Sequence, residues 1–155
     1  MIERGTKRAG DALGMLRGVS RVASIAMRAD GALAGLSVGS VSVDASADRV
    51  TLREVRRVRA RAGVVIDGKD ATRWRVDGDR LEIAHLRLGE DRAVPIAAFR
   101  IHDLATGESA AESYEPHPCG PDVYHASLIV GDGFVRVRWR VATPRGDEFV
   151  VTRYR

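Results

Sequence analysis

Apolar and polar residues alternate along most of this chain, and the alternation is cleanest near its end. Val135, Val137, Trp139 and Val141 fall on one side of a period-two pattern, and Arg136, Arg138 and Arg140 fall on the other. A segment of that kind forms a strand that packs on one face and meets water on the other. The same reading predicts strands near 19–28, 33–44, 49–61, 64–76, 80–88, 93–102, 108–115, 122–130, 134–142 and 148–155. Asp30-Gly31, Asp67-Gly68, Asp77-Gly78 and Asp132-Gly133 have the composition of tight hairpin turns, which need a positive φ that glycine adopts freely. Residues 50–66 alternate without a break, longer than an ordinary strand. A turn at Ala62-Gly63 is therefore preferred, with Asp67-Gly68 as a bulge in the following strand. Helical character is confined to 10–17, where Asp11 is placed as an N-cap ahead of Leu13 and Leu16.

Short strands at hairpin spacing, with no long crossover, predict an all-β fold: an antiparallel up-and-down, lipocalin- or calycin-like barrel of about 8–10 strands with one short N-terminal helix. Closure would remove the exposed sheet edges. The 155 residues fit a single domain spanning 1–155. Hydrophobic residues make up 45% and charged residues 30%, which excludes a disordered chain and a helical membrane protein. The first residues, Met1 to Arg8, are charged with no apolar run behind them, so a cytoplasmic location is expected. Cys119 is the sole cysteine, which excludes an intramolecular disulfide and a multi-cysteine metal site.

The basic residues are 23 arginines and 2 lysines, yet the net charge is only +4. Acidic residues lie between the arginines over most of the chain. That dispersal points away from specific nucleic-acid recognition and leaves, as a lesser alternative, weak sequence-independent binding that disappears as salt rises. The expected partner is a small-molecule ligand, with no membrane association, and the chain is expected as a monomer or homodimer.

Two groups of residues depart from a plain strand pattern. Glu54 and Arg56 fall in phase with Val50, Leu52 and Val58, the inward set of strand 49–61. Buried charge needs a partner. The two residues either satisfy each other as an internal ion pair or form a polar floor to a ligand cavity. The second group is the proline-stiffened stretch Tyr114-Glu115-Pro116-His117-Pro118-Cys119-Gly120-Pro121-Asp122-Val123-Tyr124-His125. It brings His117, Cys119, Asp122 and Tyr124 to one corner, where a histidine can move a proton and activate a thiol. Turn chemistry alone also accounts for its composition. Asp122 is expected inward, buried and paired with Arg153 or His117. On the last strand Arg153 shares a face with Phe149 and Val151, an arrangement in which arginine stacks on an aromatic ring.

His117-x-Cys119-x-x-Asp122-x-Tyr124, then Trp139-x-Val141-x-x-Pro144-Arg145-x-Asp147 and the terminal Thr152-Arg153-Tyr154-Arg155, resemble an uncharacterised bacterial and fungal family of unknown function with a lipocalin-like barrel. The likeness is densest over 117–155 and extends upstream through Glu54, Gly63, Trp74 and Asp77-Gly78. It implies the barrel fold and marks special residues, including Arg145 of the Pro-Arg loop. It carries no assigned activity and leaves the cofactor unknown.

Three functions fit. The first is a barrel that binds a hydrophobic or weakly anionic small molecule through Glu54, Arg56, Cys119, Arg145 and Arg153. The second is a small isomerase, cyclase or hydrolase, with His117 as acid or base, Asp122 as its orienter and Tyr124 as proton donor. A haem-binding barrel, using His85, His102, His117 or His125, is the third; no Cys-x-x-Cys-His attachment motif supports it.

Overall fold

A computed structural model describes the backbone of residues 2–60, 63–103, 109–113 and 116–155. Helix α1 (Ile2–Arg17) is followed by β1 (Arg21–Met27), β2 (Leu33–Ala45), β3 (Arg49–Ala60), β4 (Val65–Asp77), β5 (Arg80–His85) and a 3-10 turn (Glu90–Arg92). Then come β6 (Val94–Phe99), β7 (His102–Asp103), β8 (Ser109–Glu112), β9 (His117–Cys119), β10 (Asp122–Gly131), β11 (Phe134–Thr143) and β12 (Gly146–Tyr154).

All these strands belong to one antiparallel sheet in the order β6-β5-β4-β3-β2-β1-β12-β11-β10-β8-β7, with β9 beside β10. The sheet closes on itself. Phe99 bridges Ser113, and the pairs His102↔Ala110 and Asp103↔Ser109 continue the same register, so β6 and β7 form one interrupted strand paired with β8. Because β8 and β9 both lie along β10, the wall has ten positions. Every neighbour in it is also a neighbour in sequence, except where β1 meets β12.

The predicted strands are all present, and the differences lie in three details. Asp67-Gly68 is not a bulge. It sits inside β4 with the ladder unbroken, Arg57 opposite Asp67 and Arg56 opposite Gly68. The other three Asp-Gly pairs do turn the chain, with positive φ at Gly31, Gly78 and Gly133. Gly63 has a positive φ as well, but Ala62 lies outside the described residues, so only half of the preferred turn can be placed. The helix begins at Ile2 rather than near residue 10, and Asp11 is an exposed residue within it, not its cap. Its first two turns hold charged residues and Gly5, with no apolar stripe to reveal them.

The helix closes one end of the barrel. Ala9, Ala12, Leu13 and Leu16 are fully buried and follow the i, i+3, i+4, i+7 spacing of one helix face. They pack with Val50, Leu52, Trp74, Leu81, Phe99, Val135 and Tyr154 in a single core. Arg17 donates from Nη2 to the carbonyls of Ser46 (2.8 Å) and Ala47 (3.0 Å), fixing the helix to the β2–β3 turn. No described helix is long and apolar enough to cross a membrane.

Candidate functional site

Side chains on the inner wall change character along the barrel axis. At the helix end Val22, Val41, Val50, Leu52, Trp74 and Val135 are buried and apolar. One step further come Ser24, Ser37, Glu54 and Thr152, which are buried and polar. Beyond them Arg56, Val58, Asp70, Thr72, Tyr124, Trp139 and Val150 are only half-buried. The inner wall is therefore fully buried at one end and partly exposed at the other.

The polar layer is tightly bonded. Arg56 reaches Glu54 with Nη2, at 2.9 and 3.0 Å from the two carboxylate oxygens. Its Nη1 donates to Ser24 Oγ (2.5 Å) and Ser37 Oγ (3.2 Å). Ser24 and Thr152 share a further bond of 2.7 Å. The ion pair expected from the phase of strand 49–61 thus exists, and hydroxyl groups from β1, β2 and β12 extend it. The serines were not singled out in the sequence, and Thr152 entered only within the terminal motif, because an isolated hydroxyl on an inward face carries no signal until its neighbours are known.

Two glycines flank Arg56 across the ladder. Arg56 is opposite Gly39 on β2 and opposite Gly68 on β4. A Cβ on Gly39 would stand 2.1 Å from the Val55 carbonyl oxygen, so only glycine fits there. A Cβ on Gly68 would meet nothing within 4 Å.

Tyr154 lies below this network with its ring edge-on to Trp74, the centroids 6.1 Å apart. Burial, and then the negative charge of Glu54, pushes its phenol well above the usual tyrosine range. The folded state then holds a proton that the unfolded chain releases near pH ~10. Stability from this group is complete below that pH and falls as pH rises through and beyond it. Denaturant midpoints of the wild type should therefore drop steeply above about pH 10, and Tyr154→Phe should flatten that drop. An identical alkaline decline in both proteins would show that Tyr154 does not control it.

At the open end Tyr124 and Trp139 meet edge to face, centroids 6.5 Å apart. The Tyr124 phenol is also raised, first by burial and then by the neighbouring Cys119 and Asp122. Asp70 faces Arg87 at 3.8 Å on the rim. His85 is opposite Thr72 across the β4–β5 ladder.

The corner residues form a small hairpin in which His117 is opposite Tyr124 and Cys119 is opposite Asp122, turning at Gly120 with φ +60°. Asp122 is half-buried rather than buried, and no side-chain hydrogen bond or ion pair joins it to a described residue. The expected Asp122–His117 network is absent among the described residues. The reason is register: His117 pairs with Tyr124, and Asp122 pairs with Cys119 beside the Gly120 turn. Cys119 is exposed. Tyr114, Glu115 and the side chain of His102 lie outside the described residues.

Arg145 is exposed in the β11–β12 turn, where its backbone N–H donates to Thr143 Oγ1 at 3.1 Å. Arg153 stands outside the barrel, its guanidinium 4.4 Å from the centre of the Phe134 ring. The stacking expected for it occurs, on Phe134, and holds it away from the barrel interior. Glu54, Arg56 and Tyr124 therefore line the interior, whereas Cys119, Arg145 and Arg153 do not share it. Between β6 and β9, which do not pair, the wall has a cleft lined by Pro95, Ile96, Ala97, Pro116 and His117. Among the described residues no three His, Cys, Asp or Glu side chains converge as a metal site.

No curated protein is significantly similar to the chain. Residues 17–155, which comprise all the strands and exclude nearly all of α1, match the family of unknown function DUF6314, and the chain belongs to that family.

Proposed function

We propose that the open half of the barrel binds a small amphipathic molecule, in the manner of a lipocalin-like carrier in the cytoplasm. The observation that carries this reading is the passage from a sealed apolar base to a half-exposed inner wall of Arg56, Asp70, Thr72, Tyr124 and Trp139. Ligand sites combine aromatic surface with a few fixed polar groups in this way. Trp139, Tyr124 and Val150 offer apolar contact. The polar end of the ligand would meet the edge of Arg56, whose charge is already balanced by Glu54. That balance suits a neutral or weakly acidic oxygen better than a strong anion.

The test uses 1-anilinonaphthalene-8-sulfonate and the neutral dye Nile red as probes, with Gly68→Leu as the blocking variant. Gly68 faces the open space beside Arg56, so leucine there should fill the bowl without disturbing the ladder. Both probes should gain fluorescence with the wild type and quench Trp139, with Nile red binding at least as tightly. Gly68→Leu should abolish the saturable component while unfolding at an unchanged denaturant midpoint. Equal probe binding by the folded variant would refute an interior site.

A further inference from the structure

The arginines that look dispersed along the chain are gathered by the barrel. Successive cross-strand pairs on its outer surface form three rows. One runs Arg138–Val151–Ile25–Leu36–Arg59 across β11, β12, β1, β2 and β3. The row on one side runs Arg136–Arg153–Ala23–Val38–Arg57, and the row on the other runs Arg140–Phe149–Met27–Leu33. The first two have an aliphatic centre with guanidinium groups at both ends, and the third carries one at its Arg140 end.

The centre is open to solvent. Ile25, Met27, Leu33, Leu36 and Val38 are 41–63% exposed. Large exposed apolar patches on soluble domains mark interaction sites. The arginines around this one are mostly unneutralised: Arg59, Arg136 and Arg140 form no ion pair among the described residues, while Arg57 has Asp67 at 3.5 Å. The outward acids of β2 and β12 lie outside the three rows, Asp44 past Val38 along β2 and Asp147 next to Phe149 along β12.

We propose that this face docks on an anionic phospholipid surface. Its aliphatic ridge would enter the boundary between headgroups and acyl chains, and the flanking arginines would reach lipid phosphates and carboxylates. Surface-lying membrane proteins combine an apolar face with basic residues in this manner. Long arginine side chains can keep their heads at headgroup level while their stems cover apolar surface.

The composition of the face disfavours other occupants. A second copy would oppose arginine to arginine. Single-stranded nucleic acid needs aromatic faces for base stacking. Here Phe134 and Phe149 are each covered by a guanidinium, that of Arg153 at 4.4 Å and that of Arg138 at 4.5 Å. The arginine rows on β11 and β3 are four strand spacings apart, about 19 Å along the sheet. One docked helix, about 10–12 Å across, is too narrow to meet both.

The test is co-sedimentation of the full chain with phosphatidylcholine vesicles, with and without phosphatidylserine. Binding is expected only with phosphatidylserine and should weaken as salt rises. The triple variant Arg59→Gln, Arg136→Gln, Arg140→Gln should bind about a hundredfold more weakly, at roughly 1 kcal/mol for each basic residue at such a surface. The corresponding triple lysine variant should retain most of the binding. Ile25→Ser with Leu36→Ser should lose it with all arginines present. These positions are exposed, so each variant should keep its fold, checked by its denaturant midpoint. Gly68→Leu should bind vesicles normally, which separates this face from the barrel interior. Failure to sediment with phosphatidylserine, equal binding to both vesicles, or an unaffected glutamine variant would overturn the proposal. So would retention on polyuridylate without vesicle binding, or a dimer in sedimentation equilibrium that Ile25→Ser with Leu36→Ser disperses.

Discussion

Glu54→Ala is expected to destabilise the protein by about 3–5 kcal/mol, the cost of leaving one member of a buried ion pair without the other. Glu54 is only 2% exposed, and both of its oxygens accept from Arg56 Nη2. Removing the carboxylate leaves a guanidinium inside the barrel with two serine hydroxyls as its remaining partners. The Glu54→Leu, Arg56→Leu double variant removes both charges and keeps similar volume. It should recover most of the loss, because apolar replacement of a whole buried pair is often neutral or stabilising. Equilibrium urea denaturation of the single and double variants measures both. A single variant less than about 1 kcal/mol below wild type would show that water already screens the pair, as it does exposed ion pairs.

Trp74→Ala is the second large effect, about 3–5 kcal/mol, the range for emptying a buried large aromatic site. Trp74 is 1% exposed at the base of the barrel, in the same core as Leu13 and Leu16 of the helix. Its Nε1–H donates to Thr72 Oγ1 at 3.1 Å, and its ring supports Tyr154. Alanine removes both contacts and leaves a void that the closed wall can collapse around only in part. Trp139→Ala should cost visibly less, because Trp139 is half-buried at the open end. Denaturation curves showing Trp139→Ala to be the more damaging would mean that the packed and open ends have been exchanged.

Period-two alternation made the strands legible, because each is buried on one face only. It also placed Glu54 and Arg56 inside, since phase along a strand is a local property. Asp67-Gly68 was misread for a physical reason: the same dipeptide serves a hairpin turn or a continuous strand, and here cross-strand pairing with Arg57 and Arg56 carries it through β4. Trp139 was legible as inward, but not as half-exposed, because no local pattern tells which end of a barrel a helix will close. The corner around His117 shows the opposite limit, since its residue types suggest chemistry that its register does not assemble. The arginine rows were hidden because they exist only across strands, and each row joins residues more than a hundred positions apart.

The meeting of β1 with β12 has a consequence for how the chain reaches this structure. Every other pairing in the wall can form between neighbouring segments, at a small loop-closure cost. Val22↔Tyr154 joins the two ends of the strand array and cannot form until the intervening strands have curved far enough to bring them together. Folding then divides into a set of quick local hairpins and one slow ring closure, whose high sequence separation governs the rate. Until that closure, the edges of β1 and β12 are both unpaired, and the same edges can pair between molecules. The interval between hairpin formation and ring closure is thus when pairing with another copy competes with the native fold.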